Sequence, residues 1–175
     1  MPSASDRDAA APPVLRGGRV VLRPLAPGDR ERLVGILREP GVRRWWGMIE
    51  PEKALDDDEV VLFTVEVDGE VAGAVQYHEE DDPDYRHAGM DIFLSEASQG
   101  RGLGPDALRT LARYLFEQRD HHRLTIDPAA DNDRAIRAYQ RVGFRPVGIM
   151  RRYERGPDGT WHDGLLMDLL REELG

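Results

Sequence analysis

The alternation of hydrophobic and polar positions in the first half of the chain predicts three strands and two helices. The run from Arg19 to Leu25 alternates as a strand does, and a helix follows whose apolar face carries Leu33, Val34 and Leu37. A second, short helical segment is expected over Val42 to Trp46. Two β-rich runs then flank Asp68-Gly69, a pair that favours the positive φ values of a tight hairpin turn. The first half therefore predicts the order β-α-α-β-β.

The second half changes repeatedly between strand and helix periodicity. A fourth strand is expected around Gly89 to Leu94, a fifth over Arg123 to Asp127, and a helix over Asn132 to Arg141 that ends at Gly143. Between the two strands, an amphipathic helix is marked by Leu103, Ala107, Leu108, Leu111, Leu115 and Phe116. Two further strands flank a turn at residues 156–159. The full order, β-α-α-β-β-β-α-β-α-β-β, is typical of a mixed α/β fold.

Length and composition fit one domain. A chain of 175 residues is of ordinary single-domain size. Residues 1–13 are rich in Ala, Pro and Asp and offer little to bury, so we expect a flexible tail before a domain spanning residues 14–175. The sequence has no targeting signal and no stretch of roughly 20 apolar residues. It therefore predicts a cytoplasmic protein without a membrane partner.

The charge balance argues against nucleic acid and for a cationic partner. The chain carries 33 acidic and 24 basic residues, a formal net charge of −9, whereas proteins that follow a phosphate backbone are basic. It has no Cys, which excludes thiol nucleophiles, thiolate zinc sites and disulfides. Its serines stand outside any GxSxG motif and its histidines lack a metal-binding spacing, so neither a serine hydrolase nor a metal site is predicted.

A glycine-rich segment, Gln99-Gly100-Arg101-Gly102-Leu103-Gly104-Pro105, lies between a predicted strand and the amphipathic helix. Its glycines let the backbone approach a ligand, and the N–H groups of the first helical turn favour an anion. The segment departs from the dinucleotide fingerprint GxGxxG, because Pro105 stands where the last glycine is needed. It is therefore either a pyrophosphate site of another kind or an ordinary glycine-rich turn.

Three motifs follow one another in the second half of the chain: QxxGxG from Gln99, DNDRAIRAY from Asp131 and RVGF from Arg141. Together they resemble the GCN5-related N-acetyltransferase superfamily. With the WWG and GMD segments, the region from Arg19 to Leu170 looks most like the aminoglycoside 6'-N-acetyltransferase branch. The resemblance implies a single-domain α/β fold whose mixed, mostly antiparallel sheet parts between its fourth and fifth strands and is flanked by helices.

On the donor side, the resemblance implies acetyl-CoA as the acyl donor. Its pyrophosphate would be held at Gln99 and by backbone N–H groups of Gly100, Arg101, Gly102, Leu103 and Gly104, with the Arg101 cation beside it. The backbone of Phe93 and Leu94 would bond the pantetheine arm, which Asn132 would meet from the following helix. Tyr139 would protonate the leaving thiolate. Its helical spacing from neighbouring apolar residues also fits a core aromatic.

On the acceptor side, the amine must lose a proton before it attacks, because an alkyl ammonium has a pKa of about 10. Asp91, a carboxylate in an apolar strand, is the candidate base and substrate anchor; the alternative is a buried ion pair with an arginine. For Asp127, the resemblance to the aminoglycoside enzymes implies a role in holding the cationic substrate, and the alternative is an Asx cap. Trp45 and Trp46 are substrate-binding candidates, but neighbours on a helix point about 100° apart. Only one is therefore expected to face the cleft, with the other in the core.

Two charged runs receive simpler interpretations. The acidic run Glu79 to Asp84 is expected to be a loop, either merely solvated or attracting cations to the mouth of the site. It is shorter than the matching loop of the aminoglycoside enzymes and carries no Trp. The run Arg151 to Arg155 is expected to be a solvated strand, with a substrate or dimer role less favoured.

These features predict an acetyl-CoA-dependent N-acetyltransferase, without a metal, that modifies a primary amine of an aminoglycoside. The protein is expected to be a monomer or a homodimer. One alternative is an enzyme for a siderophore intermediate of the hydroxylysine type or for a protein N-terminus, because sister branches share the donor half. A more distant alternative is a CoA-binding regulatory module without catalysis, against which Asp91 and Tyr139 both argue.

Overall fold

Residues 11–175 are described by a computed structural model, in which one eight-stranded sheet carries helices on both faces. The strands are β1 (Leu15–Arg16), β2 (Val21–Pro24), β3 (Val61–Val67), β4 (Glu70–Glu80), β5 (His87–Leu94), β6 (Arg123–Ile126), β7 (Arg145–Arg155) and β8 (Trp161–Leu170). The helices are α1 (Asp29–Leu37), α2 (Pro40–Arg43), α3 (Leu103–Glu117) and α4 (Asp133–Val142). The strands lie in the order β1-β2-β3-β4-β5-β6-β8-β7.

The fold class is α/β, as the sequence predicts. The hairpin turn is confirmed, with φ of 51° at Asp68 and 82° at Gly69. The prediction missed β1, a strand of two residues that pairs with β2 and is too short to show a periodicity. The predicted tail falls mostly on residues 1–10, which lie outside the described residues. Within residues 11–175, no helix is both long enough and apolar enough to cross a membrane.

Alternate residues of the central strands pack against different helices, since successive side chains of a strand point to opposite faces. One core cluster joins α3 to sheet residues such as Phe63, Val75 and Met90. The other joins α1 and α2 to the neighbouring positions, among them Ala74 and Phe93. The buried side chains of α3 pack this long helix against the sheet along its whole length; they include Leu103, Leu108, Leu111 and Leu115.

The sheet parts in its middle. All neighbouring strands are antiparallel except β5 and β6, which pair in parallel at only two positions, Ala88 with Leu124 and Gly89 with Thr125. From Met90 to Leu94, β5 has no partner on β6, while β6 continues to pair with β8 as far as Ile126. The fourth and fifth predicted strands correspond to β5 and β6, because β1 was not predicted. Their predicted parting is therefore confirmed, and the gap opens at the carboxyl ends of both strands.

Candidate active site

Two cavities meet at the gap between β5 and β6. The donor cavity, of about 370 Å³, runs from the glycine loop along α4. The acceptor cavity, of about 790 Å³, lies on the other side and is lined by β5, the end of β6 and β7. Five residues are shared between the linings of the two cavities: Trp45, Trp46, Ile92, Asn132 and Tyr139. A group that passes from one cavity to the other must therefore pass these side chains.

The glycine loop has the backbone shape that the sequence predicts. Gly100 and Gly102 have φ of 72° and 78°, and Gly102 immediately precedes α3 in the left-handed conformation. A Cβ at either position would meet nothing within 4 Å, so the space in front of the loop is open. Both residues line the donor cavity, as Gly104 does. The N–H groups at the start of α3 thus border an open concave surface that suits phosphate.

Two residues of the loop face elsewhere. The Leu103 side chain is fully buried in the core, so only its backbone can serve a ligand. Arg101 is exposed and is not among the residues that line the donor cavity, while its carbonyl accepts a hydrogen bond of 2.6 Å from Arg19 Nη1. The positively charged side chains that line the donor cavity belong to α4 instead. They are spaced i, i+3, i+7 and were not predicted as site residues: Arg134, Arg137 and Arg141. A loop of open glycines beside three guanidinium groups fits a ligand that carries several phosphates.

The last two backbone carbonyls of β5 point in different directions. The Phe93 carbonyl oxygen lies 2.1 Å from the position that a Cβ on Gly73 would take, which places it on the β4 side. The Leu94 carbonyl accepts a hydrogen bond of 2.9 Å from Gln99 Nε2. Phe93 lines the donor cavity but turns its carbonyl away from the gap, whereas Ile92 lines both cavities.

Asn132 and Tyr139 belong to α4, at the junction of the two cavities. Asn132 caps the helix, with Oδ1 accepting from the Ala135 N–H at 3.2 Å. Tyr139 is half-buried, and its ring packs edge-on against Phe144 with centroids 6.4 Å apart. Burial, followed by the charges of Asp91 and Asp127, raises the pKa of the Tyr139 phenol. The side chain therefore packs against the core and also keeps its proton at the junction.

Asp91 and Asp127 both line the acceptor cavity, from β5 and from the residue after β6. Burial and the neighbouring charge of Asp127 raise the pKa of Asp91 to about 7, while a hydrogen bond from the Gln76 side chain opposes that rise. None of the ion pairs formed within residues 11–175 involves Asp91, so the arginine alternative is not what the structure shows. A carboxyl group with a pKa of about 7 can both accept and release a proton near neutral pH.

The expectation that only one tryptophan faces the cleft is wrong, because both Trp45 and Trp46 line both cavities. The helix predicted to reach Trp46 ends at Arg43. Arg43 Nη1 donates to the carbonyls of Trp46, Gly47 and Ile49 at 2.8, 3.0 and 3.1 Å, which holds the following chain in a compact turn. Trp46 does pack against the core, edge-on to Phe93. The helical angle of about 100° between neighbours does not apply in this turn.

The predicted solvated strand at Arg151 to Arg155 is also partly wrong, because Tyr153, Glu154 and Arg155 line the acceptor cavity. A register shift between Met150 and Glu154 and a φ of 48° at Arg152 mark a bulge that redirects these side chains. Partial burial and the charge of Asp127 raise the pKa of Glu154, and the proximity of Asp127 also raises the pKa of the Tyr153 phenol. The sequence favours a solvated strand over a substrate role for this run, since nothing in the local pattern indicates a positive φ at an arginine.

The acidic run Glu79 to Asp84 is not wholly a loop, and it lines neither cavity. Strand β4 continues through Glu80. Glu79 accepts from His121 Nε2 at 2.7 Å and also pairs with Arg119, which ties β4 to the chain after α3. Among the described residues 11–175, no group of three or more His, Cys, Asp or Glu side chains is placed to hold a metal ion.

Comparisons with known proteins agree with this geometry. The model of the acetyltransferase (GNAT) family matches residues 30–144. Aminoglycoside N(6')-acetyltransferase type 1 of Klebsiella pneumoniae is 30% identical over 164 residues, which cover 80% of this chain and 79% of that protein. Spermidine N(1)-acetyltransferase of Escherichia coli K12 is 30% identical over 165 residues, which cover 88% of this chain and 87% of that protein.

A solved structure with two bound ligands has a similar fold. AAC(6')-Ib in complex with ribostamycin and coenzyme A matches with a TM-score of 0.72 and 26% sequence identity, over 89% of this chain and 95% of that one. The family model covers more than half of the chain and includes the glycine loop, the gap and α4. The chain therefore belongs to the GCN5-related N-acetyltransferase family, and it is an acyltransferase that moves acetyl from acetyl-CoA to an amine.

Proposed function

We propose that the enzyme acetylates a primary amine of an aminoglycoside, of the 6' type, and thereby inactivates the drug. The observation that carries this proposal is the acceptor cavity of about 790 Å³, on which three carboxyl groups converge from β5, the end of β6 and β7: Asp91, Asp127 and Glu154. Trp45 and Trp161 add aromatic surface to the same cavity. A polycationic amino sugar offers ammonium groups to the carboxylates and ring faces to the aromatic side chains.

Asp91 and Tyr139 divide the proton transfers between them. Asp91 accepts the proton of the substrate ammonium, directly or through water, because its pKa of about 7 leaves much of it ionised at neutral pH. Tyr139 lies where the cavities meet and remains protonated, so it can donate to the sulfur as the thioester bond breaks. Asp127 and Glu154 supply charge that holds further ammonium groups of the substrate.

The donor cavity is the proposed binding surface for acetyl-CoA. The open glycine loop and the three α4 arginines are the proposed phosphate contacts. Ile92 and Leu94 line the gap where the pantetheine arm is proposed to lie, with Phe93 contributing its side chain to the wall. Asn132 borders the same path and keeps α4 capped.

A linear polyamine is the second candidate, because the acidic lining of the acceptor cavity attracts any polycation. The similarity to spermidine N(1)-acetyltransferase, at 30% identity, favours the same candidate. The aromatic side chains of the cavity distinguish the two, since a flat ring surface contributes more to a cyclic sugar than to a flexible methylene chain.

The test is release of CoA, detected with a thiol reagent, over a panel of amines. The panel contains two aminoglycosides that differ only in a 6'-amino or 6'-hydroxyl group, together with spermidine, a hydroxylysine derivative and N-terminal peptides. We expect turnover of the 6'-amino compound, and little with its 6'-hydroxyl partner. Equal turnover of the matched pair would contradict the 6' assignment, and a higher kcat/KM for spermidine or a peptide would contradict the aminoglycoside proposal.

A further inference from the structure

Gln76 on β4 stands directly opposite Asp91 on β5. The two residues are paired in the antiparallel register of these strands, so their side chains lie side by side on one face of the sheet. That face is the one that opens into the acceptor cavity, which both residues line. Gln76 therefore adjoins the proposed base without belonging to any motif that marks the family in the sequence.

The two ends of the Gln76 amide have different surroundings. Its nitrogen end is the one suited to Asp91, its cross-strand neighbour, because an ionised carboxylate accepts hydrogen bonds and cannot donate them. Its oxygen, Oε1, is buried and has no hydrogen-bond partner among the described residues 11–175. Buried polar atoms without a partner are uncommon and destabilise the fold. An amide held in this way is better explained by what it does for Asp91 than by what it does for packing.

We propose that Gln76 is a positioning residue of the acetyl transfer: its amide nitrogen donates to the Asp91 carboxylate and holds that carboxylate toward the amine in the acceptor cavity. The inference rests on the proposed role of Asp91 as the base. It assigns no contact between Gln76 and the reacting atoms, and the effect of Gln76 reaches the substrate through Asp91.

The hydrogen bond also sets how much of Asp91 is ionised. The bond from Gln76 lowers the pKa of Asp91, whereas burial, Asp127 and Glu154 raise it. The other titratable or charged groups that line the acceptor cavity are His78 on β4, Asp57, Tyr139 on α4, and Tyr153 and Arg155 on β7. None of these is removed when Gln76 is replaced. Loss of the Gln76 bond therefore leaves the factors that raise the pKa unopposed, and less of the base form remains at neutral pH.

The test is the pH profile of kcat/KM in Gln76→Met and Gln76→Glu, measured with any amine that the wild-type enzyme acetylates. Met matches the length of Gln without its donor, so we expect the acid limb to move to higher pH and kcat/KM at pH 7 to fall by about tenfold. Glu replaces the donor with a second carboxyl group, so we expect a larger shift in the same direction. The KM for acetyl-CoA should not change, and Gln76→Met should melt at or above the wild-type temperature because the partnerless oxygen is gone.

Gln118→Met is the matched control, because Gln118 is exposed and lines neither cavity. An unshifted acid limb in both Gln76 variants overturns the inference, whether or not their activity falls uniformly. Asp91→Asn separates this failure from that of the proposed function. If Asp91→Asn is impaired while both Gln76 variants keep the wild-type limb, the inference on Gln76 alone is wrong. If Asp91→Asn is as active as wild type at every pH, the proposed base is wrong.

Discussion

The Gln99 side chain donates from Nε2 to the carbonyl oxygen of Leu94 over 2.9 Å, and so joins the glycine loop to the end of β5. Leu94 is the last residue of the strand segment that has no partner on β6. This hydrogen bond therefore links the two parts of the donor cavity, the phosphate end and the gap. The loop is positioned by a side chain as well as by its own backbone.

Gln99→Leu should weaken acetyl-CoA binding without unfolding the protein. The substitution frees the Leu94 carbonyl and lets the loop move, and a hydrogen bond of this kind contributes about 0.5–1.5 kcal/mol, or roughly a two- to tenfold rise in Kd. Isothermal titration with CoA measures the effect. Gln118→Leu, at an exposed position outside both cavities, should bind as wild type does. Wild-type affinity in Gln99→Leu would mean that the loop holds its shape alone.

Gly104→Val should block the donor cavity while leaving the fold intact. A Cβ at Gly104 would meet only Leu94 Cδ1, at 3.7 Å, which is an ordinary contact. The new side chain would instead project where Gly104 lines the cavity. We expect CoA affinity to fall by about tenfold or more, which corresponds to about 1.4 kcal/mol. Gly35→Val places the same residue at an exposed position of α1, where a Cβ meets nothing within 4 Å, and should not affect binding. Unchanged affinity for CoA in Gly104→Val would refute the assignment of this cavity.

Tyr139→Phe should lower turnover far more than it changes acetyl-CoA binding. The ring, and with it the packing against Phe144, is retained. The lost hydroxyl matters only as negative charge develops on the departing sulfur, and general acid catalysis contributes typically ~10²-fold. Steady-state kcat and CoA titration measure the two effects separately, with exposed Tyr85→Phe as the control. If kcat stays at the wild-type value, Tyr139 is a core residue or water donates the proton.

Asp91→Asn should remove the rise of kcat/KM that accompanies ionisation of the base. In the wild type we expect kcat/KM to increase as the pH rises through about 7, where Asp91 loses its proton. The amide keeps the shape but accepts no proton, so kcat/KM above pH 7 should fall by ~10²-fold or more. Below the pKa the two proteins should converge, because Asp91 is protonated there. A wild-type profile in Asp91→Asn would mean that Asp91 is not the base, and Asp127 would be the next candidate.

The stability of Asp91→Asn relative to the wild type should also depend on pH in an expected way. Measuring it tests whether a loss of activity is due to misfolding. The pKa of Asp91 is raised from 3.8 in the unfolded chain to about 7 in the fold. Protonation of Asp91 therefore favours the folded state: this contribution is fully present below about pH 4 and is lost as the pH rises through 7. Asp91→Asn has no such dependence, so its melting temperature should exceed that of the wild type by a margin that grows between about pH 4 and 7 and then stays constant. A lower melting temperature at pH 8 would contradict the burial of this charge.

The sequence by itself determined the order of the elements, the glycine loop and the family. Hydrophobic periodicity, the Asp68-Gly69 turn and the motifs between Gln99 and Phe144 can be recognised in the sequence. Each depends only on residues that are close together in the chain. Asp91, Asp127, Asn132 and Tyr139 could be selected for the same reason, as they lie within or beside these motifs. The structure then brings these four residues to the walls of the acceptor cavity.

Only the tertiary structure decided what else surrounds the acceptor. Glu154 and Tyr153 enter the cavity through a bulge at Arg152, outside the motifs that mark the family, and both tryptophans face it because α2 ends at Arg43. The pKa of Asp91 likewise depends on Asp127, which follows a different strand, β6. Burial and charge coupling act through distances in space, and those distances exist only once β5, β6 and β7 are assembled. The sequence names the groups that carry the chemistry, and the assembled sheet sets their environment.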